Sequence, residues 1–140
     1  MGGINELFGG MRASSSALSA ERTRIDVIAK NIANAESTSM PDGSGPYRRQ
    51  VVNFAPFLDK AGSSGARVGS ITSDNVTPFP VLHDPGHKDA DPATGNVLMP
   101  NVNVVQEMAD LILAMRSYEA NLNTQDNFVK MAERALRIAQ

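Results

Sequence analysis

From Asn103 to Gln140 the chain reads NVVQEMADLILAMRSYEANLNTQDNFVKMAERALRIAQ, without glycine or proline and with Met108, Met115, Leu122, Val129 and Leu136 spaced seven residues apart. Companion positions three residues on hold Leu111, Tyr118, Ala132 and Ala139. A strict heptad of this kind keeps one seam turned toward a partner helix, which distinguishes a coiled coil from an ordinary surface helix. Asn103 followed by Gln106 reads as a capping pair at the helix start. Glu107 and Asp110 lie early and Lys130, Arg134 and Arg137 late, the order that the helix dipole favours. About 36 residues at roughly 1.5 Å each make a rod of roughly 54 Å.

A second ladder runs through Ile4, Met11, Leu18, Ile25 and Ile32, with Leu7, Ile28 and Ala35 as companions. Residues 1–36 are therefore expected to form an amino-terminal helix, frayed or bent at Gly9 and Gly10, where glycine costs about 1 kcal/mol in a helix interior. Asp26 and Lys30 are ordered as a supporting pair. The run Ser37 to Pro46, with Pro41, Gly43 and Gly45, ends that helix in a loop.

Between the helices, residues 37–102 form a loop and a small β-rich insert. Strands are expected at Tyr47–Phe54, Arg67–Thr72 and Phe79–His83, the last held to an edge by Pro78 and Pro80, with a short fourth at Asn96–Met99. Residues 103–140 are the carboxyl-terminal helix. The fold class is mainly α with a small β insert, its long terminal helices forming a coiled coil.

The 140 residues fit one domain. A formal charge of −2, from 13 basic and 15 acidic side chains with no basic tract, argues against binding nucleic acid through its phosphates or anchoring on a membrane surface. Absent cysteine removes disulfides, thiolate nucleophiles and cysteine-type zinc sites. No stretch approaches the roughly 18 consecutive apolar residues of a spanning helix. The amino end carries no basic segment followed by an apolar one, so a cleaved secretory signal is not expected.

Candidate chemistry is sparse. His83 and His87 flank Asp84, Pro85 and Gly86, which make a turn rather than the helix that a pair of histidines four apart needs to hold zinc. The serines at 14–16 lack a nucleophile elbow, and Gly43-Ser44-Gly45-Pro46 lacks the lysine of a phosphate loop. The expectation is no catalytic residue, no metal ligand, no cofactor and no small-molecule substrate. The off-seam apolar residues Phe8, Ile112, Phe128, Met131 and Ile138 give each helix a second sticky stripe. Together these favour helices that complete their order on assembly over a compact monomer in which both pack on the insert. A soluble coiled-coil adaptor or export chaperone is the alternative, and a small metal-dependent hydrolase working from the His83–Asp91 loop is a third reading.

Five segments carry a family resemblance. Ser16 to Ser37, centred on Asn31-Ile32-Ala33-Asn34-Ala35, resembles the amino-terminal signature of the flagellar rod, hook and hook-associated axial proteins. Met115-Arg116-Ser117-Tyr118-Glu119-Ala120-Asn121-Leu122-Asn123 resembles their carboxyl-terminal signature. Gly45 to Val52, Asp84 to Asp91 and Met99 to Asn103 are similar to segments of the short proximal rod proteins, with Lys88 where proline is common. The resemblance implies a structural subunit of the drive shaft that crosses the periplasm, with the helices forming the inner layer of a helical tube. It implies export by the flagellar type III machinery. Implied partners are further copies, rod proteins of the FlgB, FlgF and FlgG types, FliE and the membrane ring. It implies too that the Asn31 and Asn34 amides bond adjacent subunits and that Arg116, Tyr118, Ala120 and Asn121 are motif positions.

Overall fold

The computed structural model of the chain describes residues 2–58 and 64–138, with side chains described for residues 9–58 and 64–137. Two long helices enclose the strands in sequence: α1 (Gly2–Ala33), β1 (Gln50–Leu58), β2 (Ser64–Ser73), β3 (Val81–His83), β4 (Asn96–Leu98) and α2 (Val104–Ile138). The strands form two separate two-stranded sheets, β1 with β2 and β3 with β4. The second is antiparallel, pairing Val81 with Leu98 and His83 with Asn96. The helical and β segments thus follow the order expected from sequence, with shifted ends.

Helix α2 starts where the capping reading puts it. The Asn103 side chain accepts from the Gln106 amide at 3.2 Å, and its carbonyl accepts from the Glu107 amide at 2.9 Å. Helix α1 is continuous through Gly9 and Gly10. The reason lies opposite: a Cβ at Gly10 would come within 2.6 Å of Phe128 Cζ, so the glycine makes room for an aromatic ring. At its other end α1 stops at Ala33, short of residue 36. Asn34 Nδ2 there donates to the Lys30 carbonyl at 2.8 Å, and Asn34 Oδ1 accepts from Ser37 Oγ at 3.2 Å, closing the helix into a turn.

Strand β1 begins three residues later than expected, because Tyr47, Arg48 and Arg49 are engaged elsewhere, and it runs on through Pro56. A two-stranded sheet has only edge strands, which is where a proline is tolerated. Strand β3 is confined to Val81–His83, after Pro78 and Pro80.

The fold divides into two compact units, each drawing on both helices and the insert: residues 1–25, 52–70 and 112–140, and residues 26–51 and 71–111. In the first, Phe128 covers Gly10, and Gly65 of β2 lies against Ser16 and Phe57. The second holds the buried side chains Val27, Ile28, Asn31, Tyr47, Val97, Asn101 and Glu107. Three of those, Asn31, Asn101 and Glu107, are polar and Tyr47 carries a hydroxyl, so hydrogen bonding as well as apolar burial defines this core.

Candidate functional site

Asn31 lies in the last turn of α1 and is only 1 % exposed. Its amide is fully used within the chain. Nδ2 donates to the Gln50 carbonyl and to Glu107 Oε2, both at 2.9 Å. Oδ1 accepts from the Tyr47 hydroxyl and the Gln50 amide, also at 2.9 Å each. Four bonds exhaust what an asparagine side chain makes. Asn31 is thus fully engaged within the single chain.

Glu107, in the first turn of α2, is as deeply buried, and Arg49 meets it with Nε at 2.6 Å from Oε1. The same guanidinium reaches toward Asp110, with Nη2 3.9 Å from Oδ2. A charge so buried persists only when paired and hydrogen-bonded, and both carboxylate oxygens of Glu107 are engaged. Burial, and then the Glu107 charge, push the Tyr47 phenol above its ordinary range.

Asn101 extends the network. Its Oδ1 accepts from the Arg49 amide at 2.8 Å while Nδ2 donates to the Asp74 and Thr77 carbonyls at 3.1 and 3.2 Å. Arg48 turns the other way, over the Phe79 ring at 4.2 Å, and donates to the Asp74 carbonyl at 2.9 Å. The hub therefore ties the end of α1, the approach to β1, the turn after β2 and the start of α2 into one knot.

The apolar ladder of α2 is placed differently. Met108, Met115, Leu122, Val129 and Leu136 are all exposed. The covered line runs one residue earlier through Glu107, Ala114, Asn121 and Phe128, joined by the companions Leu111, Tyr118 and Ala132, and Ala114 is 0 % exposed. One residue turns a helix by about 100°, so α2 has a covered stripe and a separate apolar stripe open to solvent. On α1 the rungs Met11, Leu18, Ile25 and Ile32 are half-buried and Ile28 is buried, while the companion Ala35, in the turn after α1, is half-buried. The side chain of Ile4, like those of Leu7, Phe8 and Ile138, and Ala139 altogether, lie outside the described residues.

Of the remaining motif positions, Arg116 and Ala120 are exposed, and half-buried Asn121 donates to the Ser117 carbonyl at 3.0 Å. The His83–Asp91 loop is built of turns: Asp84 Oδ1 accepts from the Gly86 amide, and Asp91 from Ala93 and Thr94. It is moored to the loop after α1 where Thr38 Oγ1 donates to Asp89 Oδ2 at 2.7 Å. Gly95 closes the loop at φ +67°, with a would-be Cβ 2.9 Å from Pro85 Cγ. Among the described residues no three His, Cys, Asp or Glu side chains are grouped to hold a metal ion.

Sequence reasoning missed Tyr47, Arg49, Asn101 and Glu107 as a set. Glu107 was legible as a dipole-favouring residue, but its place one step before the apolar rung Met108, on the line of Ala114 and Phe128, was the signal that it points inward.

Residues 11–39 match the family described as "Flagella basal body rod protein", and residues 93–138 match "Flagellar basal body rod FlgEFG protein C-terminal". The chain is 41% identical to the flagellar basal-body rod protein FlgC of Borreliella burgdorferi, over 96% of its own length and 98% of the relative's. It is 36% identical to the Bacillus subtilis FlgC, covering 95% and 98%. With the Salmonella typhimurium FlgC it shares 38% identity over 91% and 93%.

Proposed function

The chain belongs to the FlgC family of flagellar basal-body rod proteins, and from that membership we propose how it works as a subunit. It is a structural component of the rod, at the flagellar basal body, and not an enzyme. Its partners are other rod and basal-body components.

The exposed heptad ladder of α2 is the seam by which copies and neighbouring rod proteins of the FlgB, FlgF and FlgG types stack, with FliE and the membrane ring at the base. Contacts that repeat head to tail without closing a ring generate a helical tube. In that tube the terminal helices form the inner layer and the β insert the outer one, and the stacked helices transmit torque. The subunit reaches its place through the flagellar type III export machinery without cleavage of a leader.

One observation carries this reading: five large apolar side chains at heptad spacing stay exposed while the chain's own packing uses a different stripe of the same helix. A ladder left open in the single chain is a surface that a second helix covers. Leu122→Glu and Val129→Glu, both on that open ladder and introduced separately into a motile host, test it. The reading expects each to be exported yet absent from isolated basal bodies, with motility lost. Normal motility with both changes refutes the seam.

A further inference from the structure

We propose that Met108 and Met115 are sites of reversible peroxide oxidation that decide whether a folded subunit assembles; this rests on the α2 ladder being the assembly seam. The chain holds seven methionines, no cysteine and no tryptophan, so thioethers are its only oxidisable sulfur. Their environments differ. Met108 is 53% and Met115 45% exposed on the open ladder, Met131 is 53% exposed off it, and Met11, Met40 and Met99 are half-buried.

The chemistry balances with a peroxide as oxidant. The thioether lone pair attacks one peroxide oxygen, an S–O bond forms and the O–O bond breaks. The departing hydroxide takes up a proton as water, so sulfur loses two electrons and the peroxide gains them. A flexible apolar side chain becomes a polar sulfoxide, which sulfoxide reductases return to the thioether.

The position of these two residues separates folding from assembly. Neither thioether is buried in the chain's own core, so oxidation leaves the subunit folded. In a seam, the new oxygen is buried among apolar side chains without a donor. That weakens association on the order of tenfold for each sulfoxide.

The test has two parts. Peptide mapping of the purified chain after limited hydrogen peroxide treatment should show Met108 and Met115 oxidised several-fold faster than Met11, Met40 and Met99, with the circular dichroism unchanged. Equal rates, or loss of helix in step with oxidation at these two positions, overturn the proposal. In cells, Met108→Gln/Met115→Gln mimics the sulfoxides and should be exported but depleted from basal bodies, while Met108→Leu/Met115→Leu incorporates normally and supports motility after peroxide exposure. Normal incorporation of the glutamine variant overturns the proposal alone when Leu122→Glu is excluded from basal bodies. When Leu122→Glu also incorporates, the seam itself falls and this inference with it.

Discussion

The Asn31 side-chain amide donates to Glu107 Oε2 at 2.9 Å across 76 positions of sequence. This single bond joins the last turn of one terminal helix to the first turn of the other, and Tyr47, Arg49 and Gln50 complete it.

Breaking the hub from the Glu107 side removes the nearer carboxylate from Arg49, leaving Asp110 at 3.9 Å, and leaves one proton of the Asn31 amide without its acceptor. Glu107→Ala should therefore lower unfolding free energy by about 3–5 kcal/mol, the usual cost of removing one partner of a buried pair. Glu107→Gln should cost less, yet still destabilise, because its amide nitrogen would face the Asn31 donor. Urea unfolding of the three proteins measures the difference; a Glu107→Ala change under about 1 kcal/mol contradicts the hub.

Gly10 and Phe128 should couple. In an otherwise unchanged chain, Gly10→Ala drives a Cβ to within 2.6 Å of the Phe128 ring and loses the usual helix gain. With Phe128→Ala already in place, the same substitution should stabilise by about 1 kcal/mol. A double-mutant cycle from thermal unfolding checks this, and strict additivity would show that the ring does not depend on the glycine.

Acid should loosen the insert. Hydrogen bonds from Ser44 hold the Asp42 carboxyl below its ordinary value, Thr77 does the same for Asp74, and Ala93 and Thr94 for Asp91. A depressed folded-state value means stability that is complete above the ordinary carboxylate range and is lost as pH falls through the depressed one. Asp74→Asn and Asp91→Asn should each flatten that acid slope in a stability-versus-pH series. Tyr47 runs the other way. Its raised value means stability present below the ordinary phenol range and lost as pH rises through the raised one, so Tyr47→Phe should remove an alkaline slope.

Much of the architecture was readable from local pattern. The glycine- and proline-free run after Asn103 specified α2 and its cap, and the proline pair at Pro78 and Pro80 foretold a short edge strand. The hub was not readable in the same way, because its members come from four separated segments and each has a sufficient local explanation. Asn31 reads as a motif position on the amino-terminal helix, Glu107 as a dipole residue, Tyr47 as part of a strand. Only long-range pairing reveals that they share one buried volume. The ladder shows the complementary limit. Periodicity located the apolar stripe of α2, but periodicity does not say whether a stripe faces its own chain, and here the covered line is offset by one residue. At Gly10, propensity counts the cost of a missing side chain without seeing the Phe128 ring that needs the space.

Neighbouring subunits in the rod should cover the open ladder of α2. Because the chain has no cysteine, Leu122→Cys introduces a single thiol on that ladder, and a functional variant can be labelled with a maleimide both free and within isolated basal bodies. The predicted result is rapid labelling of the free subunit, protection in the basal body, and recovery of labelling once the basal body is dissociated. Equal labelling of the free and assembled forms would contradict it.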